Sequence, residues 1–409
     1  MNRIFLSAYG AAAAIATTAG AQTITNIGGL ASTRPSSAFA VSADGSAAVG
    51  YAATSTGYWA VRSTTGAPQV LDSSFLFLRS FAYSVSADGS TVVGGGVISG
   101  GAHAFRWTAA AGMHDLGGLP GNTVTYAFAV SSDGLFTGGG VTSGGIGHAF
   151  VHTDEVGFTD LGTLPGDTGA ALYCLSSNGS AGAGVSGTTV SNTHAVYWNG
   201  GTLQDMGTLP EGTASEADAI TPDGLFVTGV SGSTNGGRAF LWSPGGPMLD
   251  LGTVPGHSTS AGTGITAHGT MIVGNDEFGP IVWTKNAGMT DLASYLSSKG
   301  VNLSGWTLTL CYGVSPDGTA MCGEGHYGTA TRGWVVRGLP PAPPPCGSAD
   351  FNCDGNVGTD ADIESFFACL AGSCPGGACV SNADFNADGN VGTDADIESF
   401  FRVLAGGNC

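Results

Sequence analysis

A short turn motif recurs along most of the chain at nearly constant spacing, and this repeat limits the folds that the chain can adopt. The motif reads VSADGS from Val41 and again from Val85, and later VSSDGL, LSSNGS, ITPDGL, ITAHGT and VSPDGT. The residue before each turn glycine stands at positions 44, 88, 133, 178, 223, 268 and 317, so five spacings are 44 or 45 residues and the last is 49. Seven similar units in series predict a repeat architecture, in which each unit packs on its neighbours.

Each unit contains four short segments with the alternating pattern of β-strands. In the second unit these segments are SFAYSVS, TVVGGG, AHAFRWT and MHDLGGL, separated by ADGS, VISGG and AAAG. The Asp-Gly pair favours a tight turn that closes on a left-handed glycine. Periods of roughly 40 to 50 residues with four strands each are typical of β-propeller blades. The sequence therefore predicts a mainly β fold, with a seven-bladed β-propeller over residues 22–339.

The two ends of the repeat region complement each other. The seventh unit ends at GWVVRGLP and lacks the DLGxLPG-like segment that begins at Asp115, Asp160, Asp205 and Asp250 in earlier units. The stretch ITNIGGLAST, residues 24–33, resembles that missing segment and precedes the first complete unit. We therefore expect the N-terminal strand to complete the last blade, which leaves no unpaired strand edge between the termini.

The repeat resembles the HAF family of extracellular repeats. The tripeptide HAF occurs at His103 and His148, with HAV at His194 and RAF at Arg238. The resemblance covers residues 24–339 and rests on GGAHAFRWTAAAGMHDLGGLPG together with VSADGS. It implies an exported repeat protein and assigns no activity.

Composition and charge exclude two classes of partner. The chain of 409 residues has 71 glycines, which suit turns between short strands, and a net charge of −19 with only 11 Lys and Arg. So few basic residues cannot form a face that binds phosphates or an anionic membrane. We therefore expect no nucleic-acid partner.

The first residues have the organisation of a secretory signal peptide. Arg3 precedes an apolar run over residues 4–16, and Ala19 and Ala21 frame a small-residue cleavage site. The alternative is an uncleaved membrane helix, but the apolar run is shorter than the roughly 20 residues that span a bilayer. Residues 1–21 are therefore predicted to be a signal peptide of bacterial-type export. The mature chain is expected to be secreted, extracellular or at the cell surface, without a membrane span.

Nine cysteines in an exported chain favour disulfides. Six of them lie in residues 346–409, which is enough for three bridges of undetermined pairing. Cys311 and Cys322 flank the turn SPDG and would lie across one hairpin. Cys174 is interpreted as a small buried apolar residue rather than a nucleophile.

Most polar residues of the repeat are expected to have structural roles. The HAF histidines stand at equivalent places in different units, so they cannot converge on one metal ion, and we expect them to bond to the backbone of a neighbouring blade. Turn aspartates such as Asp44 are expected to accept N–H bonds within their own turns.

One position of the repeat changes character in the fifth unit. Five positions before the turn residue, five of the other units have the aromatic residues Phe39, Tyr83, Phe128, Tyr173 and Tyr312. The fifth unit has Asp218 there, with Glu216 two residues earlier. First strands of propeller blades line the central channel, so these two carboxylates are the candidate catalytic pair, able to act as acid and base or to bind a cation. The alternative is that they are solvated acids, and the same alternative holds for the predicted loop residues Asp276, Glu277, Glu324 and His326.

Composition changes after a proline-rich linker, residues 340–345. Residues 346–409 hold ten acidic residues and one basic residue, and ADFNCDGNVGTDADIESFF at Ala349 returns as ADFNADGNVGTDADIESFF at Ala383. The pattern D-x-N-x-D-G places oxygen ligands at alternate positions, as calcium loops do. The predicted ligands of two calcium sites are Asp350, Asn352, Asp354, Asn356 and Asp362, and in the second copy Asp384, Asn386, Asp388, Asn390 and Asp396.

Two such loop-helix units sharing one apolar core resemble dockerin modules. Apolar residues behind each loop keep the spacing of one helical face, so two units would bury each other's face. Position 12, normally acidic in such loops, is an alanine between two aspartates in both copies. We infer a loop one residue longer, closed by Asp362 and Asp396, with Asp360 and Asp394 as the alternatives. The resemblance implies a cohesin-like or cell-surface scaffold protein as the partner.

These features support two functional hypotheses. The first is an exported binding or surface-display protein, with a glycan or protein ligand on the propeller and a calcium-dependent docking module behind it. The second is an extracellular carbohydrate-active enzyme, a hydrolase or lyase, that carries a dockerin-like anchor. The chain contains no G-x-S-x-G, H-E-x-x-H or phosphate-loop motif, which favours the first hypothesis.

Overall fold

The computed structural model describes residues 22–31, 33–64, 67–72, 76–118, 123–143, 146–189, 192–285, 287–342, 351, 358–374, 383, 385 and 392–404. Over these residues the chain is mainly β, with 28 strands and three short helices. The predicted signal peptide and the second half of the predicted linker lie outside them. No helix in the described part of the chain has the length and apolar character needed to cross a membrane.

The described strands form five sheets of four strands and one sheet of eight. Most pairs are antiparallel and follow chain order, because short turns join consecutive strands. Four of the four-stranded sheets each correspond to one repeat unit. One contains β2 (Ser36–Val41), β3 (Ala48–Ala53), β4 (Tyr58–Ser63) and β5 (Pro68–Val70), and another contains β14 (Gly169–Leu175), β15 (Ala181–Thr189), β16 (Asn192–Asn199) and β17 (Thr202–Gly207). The third contains β18 (Ser215–Ile220), β19 (Val227–Ser233), β20 (Gly236–Trp242) and β21 (Leu249–Asp250), and the fourth contains β22 (Ala261–Ile265), β23 (Met271–Asn275), β24 (Pro280–Thr284) and β25 (Gly288–Asp291).

The eight-stranded sheet consists of two such four-stranded groups. They are β6 (Arg79–Val85), β7 (Thr91–Ile98), β8 (Gly101–Thr108) and β9 (Gly112–Gly117), followed by β10 (Val124–Val130), β11 (Thr137–Ser143), β12 (Ile146–Thr153) and β13 (Gly157–Asp160). One parallel pair, Val124 with Ala102, joins the two groups. Each group corresponds to one repeat unit.

The remaining sheet combines both ends of the repeat region. Its strands are β1 (Thr23–Asn26), β28 (Ala330–Arg337), β27 (Met321–Tyr327) and β26 (Trp306–Val314), in that order. Strand β1 runs antiparallel to β28, with Thr23 opposite Arg337 and Asn26 opposite Trp334. The predicted pairing of the N-terminal strand with the last unit is therefore confirmed.

The turn motif has the predicted geometry. In the first unit the Oδ1 of Asp44 accepts hydrogen bonds from the N–H of Ser46 at 2.9 Å and from the hydroxyl of Ser42 at 2.7 Å. Gly45 follows with φ of 69°, and a Cβ there would lie 2.8 Å from the Cβ of Ala320 in the seventh unit. Glycine therefore serves both the left-handed turn and the close approach of adjacent units. Four other turn carboxylates accept an N–H bond in the same way: Asp88, Asp133, Asp223 and Asp317.

Backbone hydrogen bonds beside these turns link neighbouring units. In five of the seven units, the residue that precedes the turn residue donates its N–H to the carbonyl of the equivalent residue in the next unit. The donor and acceptor pairs are Ala43 with Ala87, Ala87 with Ser132, Ser132 with Ser177, Ser177 with Pro222, and Ala267 with Pro316. Pro222 and Pro316 have no N–H, so they accept such a bond and donate none. The first strands of successive units therefore lie side by side in chain order.

Hydrophobic cores lie between adjacent units. One cluster joins the first and second units and contains Val49, Ala60, Leu71, Phe77, Ala82, Val92, Phe105 and Trp107. A Cβ at Gly94 would come within 2.8 Å of the Phe105 ring, so the glycines of a second strand make room for the aromatic residue of the third. Phe105, Phe150 and Phe240 are fully buried, so these aromatic residues pack inside the units.

The wider spacing before the seventh unit contains a helix that the sequence analysis did not predict. Helix α1 (Leu292–Ser298) follows β25 directly. Asp291 caps it, since its side chain accepts a hydrogen bond from the Ser294 N–H at 2.7 Å. Leu292 and Leu296 are buried, so the helix anchors itself on the core of the last two units.

The tail contains helices α2 (Asp360–Leu370) and α3 (Asp394–Leu404). The rings of Phe366 and Phe400 stack with their centroids 4.0 Å apart, and both side chains are fully buried. The two predicted helices therefore share one apolar core.

The described cysteines of the tail are bonded to each other, whereas those of the repeat region are free thiols. Cys369 and Cys374 in the tail form a disulfide. Cys311 and Cys322 do lie across the β26–β27 hairpin, but both are free and buried. Cys174 is free as well.

Candidate functional site

The first strand of every repeat unit has a β-bulge at the same place. The pairing with the second strand skips one residue there, and the skipped residues are Phe39, Tyr83, Phe128, Tyr173, Asp218, Thr263 and Tyr312. A bulge redirects a side chain and is common beside functional sites. The position that changes from aromatic to acidic in the fifth unit is thus a special backbone position throughout the repeat.

Five of these bulge residues form an aromatic belt, which consists of Tyr312, Phe39, Tyr83, Phe128 and Tyr173. In that order, the distances between neighbouring ring centroids are 5.1, 5.8, 5.5 and 5.4 Å. These are the separations of packed aromatic pairs. Asp218 and Thr263 occupy the two bulges between the ends of the belt, which is therefore open on that side.

The bulge residues of all units line one cavity of about 270 Å³. Its lining also includes residues that carry the backbone bonds between units, such as Ala43, Ala87 and Pro222. Because every first strand contributes to the wall, this cavity is the central channel. Asp218 is the one ionisable carboxyl among its described lining residues, which include no Lys, Arg or His.

Glu216 and Asp218 lie together on β18. Burial in the channel, and then the charge of Glu216, raise the pKa of Asp218 to about 8. Burial also raises the pKa of Glu216. No residue in the described part of the chain donates a hydrogen bond to the Asp218 carboxyl group, so no local donor offsets the burial. A carboxyl group in this state can give up a proton near neutral pH or pair with a cation.

The neighbouring strand β14 presents two neutral groups to this pair. Burial, then Glu216 and Asp218, raise the pKa of the Tyr173 phenol, and burial and Asp218 raise the pKa of the Cys174 thiol. A thiol whose pKa is raised is not a thiolate nucleophile at neutral pH. This supports the interpretation of Cys174 as a small apolar residue.

A further acidic side chain approaches the aromatic belt from the seventh unit. Burial raises the pKa values of Tyr51 and Tyr312 to about 12, and the charge of Glu324 is the next cause in both cases. Glu324 and His326 lie on β27, so their predicted placement in a loop is wrong. The alternation of strand residues is obscured there by two bulges in the partner strand β26.

Comparison with known proteins identifies the fold. No protein-family model matches the chain, and no curated protein matches it. Two oligogalacturonate lyase structures, one in complex with manganese and one from Vibrio parahaemolyticus, both align with a TM-score of 0.51. They are 11% and 10% identical to this chain over 78% and 77% of its length, and 93% of each lyase is covered. The chain has a β-propeller fold.

TolB from Acinetobacter baumannii also aligns, with a TM-score of 0.41 and 10% identity over 73% of this chain. This chain spans 65% of the length of that TolB. At such identities the similarity to the two lyases concerns the fold alone, so the chemistry of this propeller has to be argued from its own residues.

The HAF histidines of the propeller pair with carboxylates of their own unit. The distances from Nδ1 to a carboxylate oxygen are 2.8 Å for His103 with Asp115, 2.7 Å for His148 with Asp160, and 2.9 Å for His194 with Asp205. Each aspartate lies on the fourth strand, which pairs directly with the third strand that carries the histidine. The predicted bond to a neighbouring blade's backbone is therefore wrong, and the pairs are structural links within a unit.

Asp276 and Glu277 also have structural partners. The Asp276 carboxylate lies 2.5 Å from the Nδ1 of His257. Glu277 accepts hydrogen bonds from Thr259 and Ser258, which hold the pKa of its carboxyl group well below the usual range. These bonds fasten the segment before β22 to the turn between β23 and β24.

Most of the predicted calcium ligands lie outside the described residues. These are Asp350, Asn352, Asp354 and Asn356 of the first loop, and Asp384, Asn386, Asp388 and Asn390 of the second. Over the part of the chain that the structure describes, no group of three or more His, Cys, Asp or Glu side chains is placed to hold a metal ion.

The two predicted closing ligands are described, and both are completely buried. Asp362 and Asp396 stand in the first turns of α2 and α3 with 0% exposure. Their Oδ2 atoms accept hydrogen bonds from the backbone N–H groups of Thr359 and Thr393 at 2.8 and 2.7 Å. The alternative ligands Asp360 and Asp394 are exposed. Of the two pairs, only Asp362 and Asp396 therefore point towards the interior of the tail.

Thr263 is the bulge residue that the sequence analysis missed. Its hydroxyl donates a hydrogen bond to the Cys311 carbonyl at 2.9 Å. Counting five positions back from position 268 identifies it, but the turn of the sixth unit has His268 instead of an acid and obscures the repeat.

Proposed function

We propose that this chain is an exported binding protein. In this proposal a seven-bladed propeller over residues 22–339 holds a ligand in its central channel, and residues 346–409 form a calcium-dependent docking module. The ligand is a glycan or a group on another protein, and the docking partner is a cohesin-like or cell-surface scaffold protein.

The blade count is supported by the repeat itself. Seven turn motifs precede seven second strands, and each unit contributes one bulge residue to the channel wall. The pairing of β1 with β28 gives the last unit its fourth strand. A ring closed in this way has no free strand edge at its seam.

The observation that carries the binding function is the channel. It combines an aromatic belt with a carboxyl group that accepts no hydrogen bond from the described residues. Concave sites that hold small molecules typically combine apolar walls with a few convergent polar groups. Packing alone would not require an acid at this position, because the other units use an aromatic residue or threonine there.

The docking module is supported by the burial of Asp362 and Asp396. Burying a carboxylate is costly unless hydrogen bonds and a cation compensate its charge. Calcium prefers carboxylate and carbonyl oxygens, which the two acidic loops supply in a matching pattern. Bound calcium would tie each loop to the start of its helix through Asp362 or Asp396.

A carbohydrate-active enzyme is the second candidate function, and Asp218 is the observation that favours it. A carboxyl group with a pKa of about 8 is protonated at neutral pH and is suited to act as a general acid, with Glu216 beside it as the base. The net charge of −19 on the chain disfavours a polyanionic substrate such as oligogalacturonate, so a neutral glycan fits this alternative better.

A glycan array and a polysaccharide-degradation screen, run on the mature chain and on Asp218→Ala, separate the two functions. Binding without turnover supports the binding protein. Turnover that is lost in Asp218→Ala supports the enzyme. The array includes oligogalacturonate as the polyanionic comparison.

A further inference from the structure

The chemistry of the channel narrows the class of ligand. Around most of the wall, the aromatic side chains of the belt line the channel and pack against one another. The electron-rich face of an aromatic ring attracts a cation placed over it. The open side of the belt holds Asp218, whose carboxylate form supplies a negative charge.

No described residue of the channel wall supplies a positive charge opposite the Asp218 carboxylate. The described lining contains no Lys, Arg or His, and Glu216 adds a second carboxyl group on the same strand. Thr263, the neighbour of Asp218 in the ring, directs its hydroxyl to the Cys311 carbonyl. Among the described residues, none therefore supplies Asp218 with a positive charge or a hydrogen-bond donor, and a cationic ligand would supply both.

The size of the cavity also limits the ligand. Its volume of about 270 Å³ lies just below the range of typical small-molecule sites, which is roughly 300 to 1,000 Å³. This space suits one compact group better than several sugar rings.

We propose that the central channel binds a small organic cation, with an ammonium or quaternary ammonium group held between the aromatic belt and Asp218. This inference rests on the proposed binding function of the channel and specifies the class of its ligand. Tyr83 and Phe128, at the middle of the belt, supply the ring faces, and Asp218 supplies the counter-charge.

Proton linkage follows from the state of Asp218. The group is protonated below its pKa of about 8, so a cation that binds the carboxylate displaces that proton. The titratable groups that face Asp218 are Glu216 on β18 and Tyr173 and Cys174 on β14. The last two stay neutral, since their pKa values are raised. Affinity for the cation should therefore increase with pH up to about 8 and then level off.

The test is calorimetric titration of the mature full chain with choline and with its uncharged isostere, 3,3-dimethylbutan-1-ol. We expect choline to bind, the isostere to bind at least tenfold more weakly, and protons to be released in two buffers of different ionisation enthalpy. Asp218→Asn and Phe128→Leu should each weaken choline binding by roughly tenfold. Glu155→Gln, which removes a carboxylate from the exposed turn between β12 and β13, should leave it unchanged.

Other results would overturn the inference. Equal affinity for choline and the isostere, or choline binding without proton release, would contradict the role of Asp218 even if the variants failed to fold. Binding of neutral oligosaccharides in the channel, without choline binding, would refute the cation class and leave the binding function standing. If neither choline nor a neutral oligosaccharide binds, both the cation class and the binding function of the channel are contradicted.

Discussion

The hydroxyl of Thr25 donates a hydrogen bond to the carbonyl of Val335 at 3.2 Å, across a separation of 310 residues. This bond lies within the β1–β28 pair, where Ile27 continues the contact by donating its N–H to the Gly333 carbonyl at 3.0 Å. The Ile27 side chain is buried in a cluster with Ala38 of the first unit and Val335 of the seventh. The N-terminal segment therefore fastens the last sheet to the first.

The first prediction is that this segment is required for stability. Ile27→Ala should lower the free energy of unfolding by about 2 to 5 kcal/mol, because it leaves a cavity at the seam. Deleting residues 22–33 should lower the melting temperature further or cause aggregation through the exposed edge of β28. Thr23→Ala, at an exposed position of the same strand, should change stability by less than about 0.5 kcal/mol. A deletion variant as stable and monomeric as the parent would disprove the closure.

The second prediction concerns the contact between neighbouring units at Arg106. Its guanidinium donates to the Gly134 carbonyl of the next unit at 3.0 Å, and lies 3.7 Å from the exposed Asp154. A hydrogen bond from a charged group stabilises the folded state by about 1.5 to 3 kcal/mol. Arg106→Met should therefore lower the free energy of unfolding, measured by urea denaturation, by about that amount. Asp154→Asn should cost less than about 1 kcal/mol, because the pair is exposed. Equal losses in the two variants would assign the effect to the ion pair instead.

The third prediction is a pH dependence of stability caused by Asp218. Its pKa is about 8 in the folded chain, and about 3.9 in the unfolded chain, so the folded state holds the extra proton between these values. Stability should therefore fall as the pH rises from about 4 to 8, by about 1.4 kcal/mol for each unit of pKa shift that is realised. Asp218→Asn carries no such proton, so its free energy of unfolding should not show this fall. Relative to the parent, the stability of Asp218→Asn should therefore increase from pH 5 to pH 8 and stay constant above pH 9.

Urea denaturation at four pH values measures this difference. Glu155→Gln serves as the control, since its exposed side chain should leave the pH profile of the parent unchanged. Parallel profiles for the parent and Asp218→Asn would show that the group titrates normally in the folded chain.

The sequence predicts strand order and turn chemistry well, because both depend on a motif that occurs seven times, and it predicts the pairing of the two ends because the first residues resemble the segment that the last unit lacks. The turn of Asp44 and the pairing of Thr23 with Arg337 are examples. Features that depend on one unit alone are harder to predict. The longer last spacing indicates an insertion, but the helical state of Leu292–Ser298 comes from the burial of its two leucines.

The candidate site shows the same division. The change from an aromatic residue to Asp218 is visible in the aligned units, whereas the bulge that directs it into the channel is not, since bulges break the alternation from which strand faces are read. The sequence predicts the wrong partner for His103 for the same kind of reason. The repeat spacing shows which histidines are equivalent, but it does not show their partners. The pairing of β8 with β9 in the folded chain places Asp115 beside His103.

The last prediction tests the calcium sites through the contrast between Asp362 and Asp360. In the full chain, calcium at millimolar concentration should raise the unfolding temperature of the tail. Calcium binds the folded loops and not the unfolded chain, so its binding free energy stabilises the folded state. Asp362→Asn should remove one of two sites, whereas Asp360→Asn should keep both, since Asp362 is buried and Asp360 is exposed. Asp362 also caps α2 with Thr359, so its loss destabilises the helix even without metal. The deciding measurement is therefore the number of calcium ions bound at equilibrium, with a chelator titration as the blank. Two ions bound by Asp362→Asn and one by Asp360→Asn would reverse the choice of closing ligand, and no bound calcium in the parent would refute the sites altogether.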